Sequence, residues 1–314
     1  IKEDGKNKKY DCILGLSGGV DSSYLVYLTH ELGIRPFIVH VDAGWNTEVA
    51  EKNINKICSK YNLDIKRIVV DWPTMMELQR AYMFSGLANL DIPQDHAFLA
   101  GVYEAADEYN LKYMINGSNL ATEGILPASW GYSAVDYKHI KGVYAEHGRG
   151  KSLAEYPHFS LWKYLKMQQK TQRVNLLNYV EYSLKGAIET LENEFGWEYY
   201  GGKHYESVFT RYFQGVYLPE KFGYDKKRAH LSSLVVSGEI SRDEALQEMD
   251  SKSSYSEEQQ REDLAYILDK LEISQEEWNN QIMAGQNKTA DDYPSSQRML
   301  DFLISAKRMI HKRK

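Results

Sequence analysis

Cysteine is almost missing from this sequence: Cys12 and Cys58 are the only two among 314 residues. That excludes a disulfide framework and gives no sign of secretion. Neither thiol has a catalytic setting, since Cys12 falls in a short apolar run and Cys58 inside a helical pattern. Thiol chemistry of the CxxC kind is therefore not expected. Long apolar runs are missing too, and none approaches the ~20 residues needed to span a bilayer. Positive charge is not in excess: the net charge is -6. The surface as a whole does not attract nucleic acid. The polar opening IKEDGKNKKY is not a signal peptide. A cytoplasmic enzyme is the expectation. The sequence opens on Ile1 with charged residues leading straight into a strand, as expected of a chain cut from a longer protein.

Aromatics, by contrast, are plentiful: 24 Tyr, 6 Trp and 9 Phe. The expected use is core and interface packing, with a stacking wall for sugars or bases as the sharper alternative. Hydrophobic residues at 43% and charged residues at 26% are ordinary globular composition. The length allows two domains, or one large domain with an extension.

Short apolar runs alternate with helical patterns along the first half. Tyr10–Leu16, Pro36–Val41, Lys66–Val70 and Tyr113–Ile115 read as strands. Asp21–Leu32, Glu48–Tyr61 and Ala97–Tyr109 read as the helices between them. Such alternation implies βαβ units and a parallel sheet, with ligands at the carboxyl ends of the strands. Gly124–Tyr156 is rich in Gly, Tyr and His with little period, and reads as irregular loops. Beyond Pro157 the pattern is mostly helical: Asn175–Phe195, Arg228–Val236, Arg242–Met249, Glu257–Leu271 and Ser295–His311. Ser241–Glu244 and Ser274–Glu277 have capping-box spacing. Asp250–Glu262 reads as an exposed linker. The division expected is 1–156 for nucleotide, 157–250 for substrate or partner, and 251–314 as a helical extension.

The chemistry sits in LSGGVDSS, Leu16–Ser23, between a strand and a helix. Gly18 and Gly19 permit tight curvature and close approach to an anion. The amides of the following helix then face that anion, aided by the helix dipole. Ser17 and Ser22 add hydroxyls. Asp21 repels phosphate, so its sensible task is to hold Mg²⁺ that bridges to phosphate oxygens. No lysine makes this a GxxxxGK[ST] loop, and it is not GxGxxG. Downstream, NGSNLATE at Asn116–Glu123 follows the fourth strand. GGKHYESVFTR and YDKKRAH then group Lys203, His204, Arg211, Lys226, Lys227 and Arg228 in an acidic protein. Alone, such a group reads as solvated surface. Beside a phosphate-binding loop, its cations are expected to reach polyphosphate or substrate. His139, His147 and His158 lack the companions that a zinc site needs.

SGGVDS resembles the PP-loop of the N-type ATP pyrophosphatases, whose members split ATP between the α and β phosphates and adenylate a carbonyl oxygen. The resemblance implies an α/β fold, the parallel-sheet PP-loop ATP pyrophosphatase (adenine nucleotide alpha hydrolase-like) domain, followed by a mostly helical region. It implies ATP contacts at Leu16, Ser17, Gly18, Gly19, Asp21, Ser22, Asp42, Gly117 and Ser118. Glu123 falls at the spacing of the second Mg²⁺ carboxylate of NAD synthetase-like enzymes, beside Asp21. From Lys9 to Met249 the chain is similar, more narrowly, to the N-acetyl sugar amidotransferases of surface-polysaccharide biosynthesis. That similarity rests on SGGVDSSYL, HVDAGWN, INGSN and the long block from Tyr199 through Leu246. It implies conversion of the acetamido group of a nucleotide-linked N-acetyl sugar, UDP-linked by expectation, to an acetamidino group. It implies ammonia from a separate glutaminase and cyclase-like pair. Asp21, Lys203 and Arg211 are then the catalytic candidates, and Asn119, Lys203, His204 and Lys227 the substrate candidates. Members usually carry a cysteine-rich, zinc-binding N-terminal segment, which this sequence lacks. The helical second half offers surface for a homodimer. A tRNA-modifying PP-loop enzyme and a nucleotide-sensing module without turnover are the alternatives.

Overall fold

The computed structural model describes residues 1–127, 130–250 and 255–303. After a helical turn α1 (Lys2–Gly5), the chain runs β1 (Cys12–Gly15), α2 (Val20–Glu31), β2 (Pro36–Asp42), α3 (Glu48–Lys60) and β3 (Ile65–Val69). It continues through α4 (Trp72–Phe84), α5 (Ile92–Glu108), β4 (Tyr113–Ile115), α6 (Leu120–Glu123), α7 (Tyr137–His147), α8 (Leu161–Lys170) and β5 (Gln172–Val174). The remainder is helical: α9 (Leu184–Phe195), α10 (Val208–Tyr212), α11 (Lys226–Ser237), α12 (Arg242–Asp250) and α13 (Glu257–Lys270), with α14 (Gln275–Glu277) beyond.

The five strands are all parallel, in the order β3-β2-β1-β4-β5. β1 is buried because CILG is wholly apolar and lies between neighbours on both sides. The order reverses direction between β1 and β4. Crossovers on the two sides of that seam leave a crevice beyond their carboxyl ends, where α/β sheets hold ligands. One face of the sheet packs on α2, α3 and α9 through Leu14, Leu25, Ile38, Ile54, Ile57 and Leu191. The other face belongs to a larger apolar cluster that runs from Tyr10 and Phe37 to Phe209, Ile267 and Leu300. Tyr82, Tyr103, Tyr156 and Tyr217 are fully buried in it, so these tyrosines pack rather than line a ligand wall.

The α/β expectation holds, with several corrections. Residues 71–96 have no assigned element in the sequence reading, yet α4 fills most of them. Asp71 caps it by accepting from Thr74 N at 3.0 Å, and Pro73 sits in its first turn. α5 begins at Ile92 rather than Ala97. The stretch read as irregular contains α7, capped by Asp136. Asn175–Phe195 is not one helix: a 3₁₀ turn at Leu176–Tyr179 precedes α9. β5, only three residues long, joins the sheet beyond residue 156. Of the expected linker, Glu257–Glu262 lies in α13. Both capping boxes form, at Ser241–Glu244 and Ser274–Glu277. The helix expected at Ser295–His311 is helical from 297 to 303, and its later residues lie outside the described ones.

Candidate active site

The loop after β1 stands at the seam between β1 and β4. Leu16 anchors its root: its N donates to Val39 O at 2.9 Å, and its carbonyl accepts from His40 Nδ1 at 2.7 Å. Leu16 is 2% exposed, so it fixes the loop from below. Gly18 has φ +84, and a Cβ there would meet Ala50 O at 2.8 Å. Only glycine combines that backbone with that approach to α3. Ser17 and Ser22 share a hydrogen bond of 3.1 Å, Ser17 N donates to Ser22 Oγ at 3.2 Å, and Gly19 N donates to Ser17 Oγ at 3.2 Å. The loop is thereby closed into a small ring before any ligand arrives. Val20 N is taken by Tyr200 Oη at 3.1 Å. The amides of Asp21 and Ser22 have no partner among the described residues. They open α2 with the donors and dipole that suit an anion.

β4 supplies the facing edge. The Cβ of Asp21 lies 3.2 Å from where a Cβ of Gly117 would stand, so the backbone of β4's end passes close against the loop. Ser118 N turns back to Asn116 Oδ1 at 2.8 Å. Asn119 is 4% exposed and caps α6 by accepting from Thr122 N at 2.8 Å. α6 is one turn long, and it delivers Glu123 to the loop. A polar cavity of about 470 Å³ opens beside Asn116 and Ser118, bounded by Arg173, Asn175, Asn178 and Tyr179.

The third contribution comes from far along the chain. Thr47 N donates to Glu206 O at 2.9 Å, and Val208 N donates to Trp45 O at 3.0 Å. Asn46 and Ser207 form an antiparallel bridge between those bonds. These pairings clamp the GGKHYES block onto the turn after β2. Lys203 Nζ then pairs with Glu123 Oε1 at 2.9 Å and donates to Thr122 Oγ1 at 3.1 Å. His204 takes φ +63, and its Nδ1 lies 3.9 Å from Glu206 Oε1. Glu206 itself lies against the loop, since a Cβ on Gly19 would sit 2.8 Å from its Oε1. Its Oε2 is buried without a partner among the described residues. Sequence reasoning missed Glu206. Its only signal was its place beside Lys203 and His204.

Electrostatics tie the group together. Burial pushes the Asp21 carboxyl above its usual range, and repulsion from Glu123 adds to this, while Lys203 and the Tyr182 hydroxyl bonded to Oδ1 hold it back. Burial acts on Glu123 in the same sense, but Lys203 outweighs it and holds that carboxyl low. Burial pulls His204 down, yet Glu206 more than compensates and raises its proton affinity. Two hard carboxylates, Asp21 and Glu123, fit Mg²⁺ and would be the residues that hold it. Among the described residues no three His, Cys, Asp or Glu side chains form a ready-made metal cage.

Other expected site residues lie elsewhere. Arg211 grips Asp263 with Nε at 2.7 Å and Nη2 at 2.8 Å. That pair is buried between α10 and α13, which gives Arg211 a structural partner away from Glu123 and Lys203. Lys227 pairs with Glu248 at 3.2 Å across α11 and α12, away from the loop. Asp42 accepts from Gly44 N at 2.7 Å and shapes the turn after β2. Cys12 and Cys58 are free and buried, with burial pushing their thiols up to about 12 and about 11. His139 is a core histidine against Tyr82 and Tyr132, pulled down to about 4 by burial.

Residues 206–308 match the family model described as LPS biosynthesis protein WbpG-like, C-terminal domain. This segment is similar to that domain. It begins at Glu206, within the clamp that brings the basic block to the loop. A tRNA(Ile)-lysidine synthase of Chlamydia pneumoniae is 40% identical over 55 residues, 17% of this chain and 17% of the relative's length. Among solved structures, the chain is similar to an NH3-dependent NAD synthetase from Campylobacter jejuni at 16% identity and TM-score 0.31, covering 62% of this chain and 88% of that one. It is similar also to an NMN synthetase from Francisella tularensis at 16% identity and TM-score 0.32, covering 61% and 86%. Strand order and the place of the loop, not these likenesses, show a parallel α/β sheet, which leads into the segment similar to the WbpG-like domain. Among the described residues no helix is long and apolar enough to cross a membrane.

Proposed function

We propose that this chain is an ATP-dependent, AMP-forming amidotransferase of surface-polysaccharide biosynthesis, LPS O-antigen or another surface glycan. Its substrate is a nucleotide-linked N-acetyl sugar, and its nitrogen is ammonia from a partner glutaminase. The observation that carries the reading is the meeting of Lys203 with Asp21 and Glu123 at the loop, on a block continuous with a WbpG-like domain.

In this reading each part of the site has a role. The ring of Ser17, Gly18, Gly19 and Ser22 grips the pyrophosphate that leaves. Asp21 and Glu123 would hold Mg²⁺, and the ion would supply charge neutralisation for that leaving group. Lys203 adds a fixed cation beside them. The acetamido oxygen attacks the α phosphorus and the bond to pyrophosphate breaks. Ammonia then adds to the activated carbon and AMP departs, leaving the amidine. With the loop given to pyrophosphate, sugar choice falls in this reading to the block and to the polar edge near Ser118.

The test supplies ATP, Mg²⁺, ammonium and a panel of UDP-N-acetyl sugars. Sugar-dependent AMP and pyrophosphate are expected, and Asp21→Asn should lower their formation about 100-fold or more. If no sugar in the panel stimulates AMP formation, the reading fails. The short match to a lysidine synthase favours a second reading, tRNA modification. A net charge of -6 opposes it, because tRNA binding draws on many phosphate contacts. Retention of tRNA at moderate salt would revive it.

A further inference from the structure

One hydroxyl at the loop has more bonding capacity than the protein uses. Val20 N donates to Tyr200 Oη at 3.1 Å, although 180 positions separate the two residues. A phenol oxygen that accepts one hydrogen still has a proton of its own to give. Among the described residues no acceptor takes that proton. Glu206, which lies against Gly19 one residue away, does not take it. Its Oε2 has no partner among those residues, and its Oε1 lies 3.9 Å from His204 Nδ1.

The hydroxyl is held in place from α3. Asn53 is fully buried on that helix and bonds both ways to the backbone of Glu198, two residues before Tyr200. Its Nδ2 donates to Glu198 O at 2.9 Å, and its Oδ1 accepts from Glu198 N at 2.9 Å. Ala50 stands three positions before Asn53, so the two share one face of α3. Ala50 backs Gly18, and Asn53 holds the segment that carries Tyr200. A single helix face thus sets both the loop and the hydroxyl. Trp197 meets the Tyr200 ring edge to face, with centroids 5.4 Å apart. Beyond Tyr200, Thr47 N secures the chain again at Glu206 O.

The setting keeps the hydroxyl a donor. Burial, and after it the charge of Glu206, push the phenol well above its usual range, so it stays protonated at neutral pH. The bond from Val20 N draws charge from the oxygen and makes its O–H a stronger donor. The open amides of Asp21 and Ser22 belong to the same first turn of α2. An O–H donated to an ionised oxygen is among the stronger hydrogen bonds. We propose that Tyr200 binds the leaving pyrophosphate, donating its phenol proton to a phosphate oxygen while Val20 N holds its own oxygen. The inference rests on the pyrophosphate role given to the loop above, and it does not depend on which sugar is adenylated. The Val20 N–H is relayed outward by 3.1 Å as an O–H. The block then acts on the leaving group twice, through the cation of Lys203 and through this neutral donor.

The same contact has an opposite use, as a plug that covers Val20 N until phosphate displaces it, and the sign of one substitution separates the two. The test compares the full chain with Tyr200→Phe, using magnesium pyrophosphate as the probe in calorimetric titration. Pyrophosphate should bind about 10-fold more weakly or worse, and Mg-ATP should weaken with it. AMP, which lacks the two departing phosphates, should bind as before. Tighter pyrophosphate in Tyr200→Phe would make the hydroxyl a competitor for Val20 N. Equal affinity would leave it a cap on that amide, and an equal loss for AMP would mean general loosening of the site. Each of these overturns the donor role and leaves the loop's role standing. If the unaltered chain binds neither pyrophosphate nor ATP, the loop's role itself falls and takes this inference with it.

Discussion

The loop at Leu16–Ser23 and the basic block at Lys203–Arg228 build one site by opposite means. The loop is local. Its hydroxyls bond to its own backbone, and Gly18 adds only a close approach to Ala50 of the neighbouring α3. The block is sorted by partners far away in sequence. Lys203 meets Glu123 and turns to the loop, Arg211 meets Asp263 and turns to the core, and Lys227 meets Glu248 and turns outward. Cations of the same kind in one motif thus end in three environments. Residue type announces a phosphate site only where the backbone order alone places it. Where long-range carboxylates decide, a cation says little about its own destination.

That contrast is most directly broken at Arg211 and Lys203. The Arg211–Asp263 pair has side-chain exposures of 14% and 5%, and Tyr255 Oη also donates to Asp263 at 2.6 Å. Asp263→Ala leaves a guanidinium buried without its counter-charge, and should cost about 3–5 kcal/mol in urea unfolding. Lys203→Met should do the reverse, with stability changed by about 1 kcal/mol or less and AMP formation strongly reduced. A stable Asp263→Ala, or a fully active Lys203→Met, would return both cations to one class.

The loop is tested next. Gly18→Ala forces a Cβ to φ +84 and to 2.8 Å from Ala50 O, a strain of order 1–3 kcal/mol. Because the strain falls on the loop, ATP-dependent thermal stabilisation should disappear even where the chain remains folded. A Gly18→Ala chain that binds ATP normally would show that the loop is not held from below by α3.

Legibility divides along the same line. The strands were readable because CILG and PFIVHV are buried on both faces, so apolar runs mark them without any need for alternation. The loop was readable because Ser, Gly and Asp at that spacing leave few other uses between strand and helix. β5 was not, since QRV is three residues of which two are exposed, and only pairing with β4 makes it a strand. Glu206 was not, because a glutamate beside a lysine and a histidine looks like solvated surface until Trp45, Asn46 and Thr47 clamp its backbone. Asn119 and Asp42 stand at the expected ends of β4 and β2, yet their side chains cap local turns. Position relative to the sheet was legible, and the partner of each side chain was not.

Thr47 joins the two modes, and so gives the finest test. Its hydroxyl caps α3 by accepting from Ala50 N at 3.3 Å, and α3 is the helix against which Gly18 rests. Its backbone N donates to Glu206 O at 2.9 Å, holding the block in place. Thr47→Ala removes the cap and keeps the backbone bond, at a cost of about 1 kcal/mol. Ser241→Ala removes a comparable cap from α12, where Glu244 N donates to Ser241 Oγ at 3.1 Å, and should cost about the same. Stability measured by urea should not tell the two variants apart, but nucleotide affinity should. Thr47→Ala is expected to weaken ATP binding a few-fold, because loosening the first turn of α3 lets Ala50 drift from the loop it supports. Ser241→Ala should leave ATP binding unchanged. Equal losses of affinity in both would mean that the loop senses only global stability, and the local character argued for it would be gone.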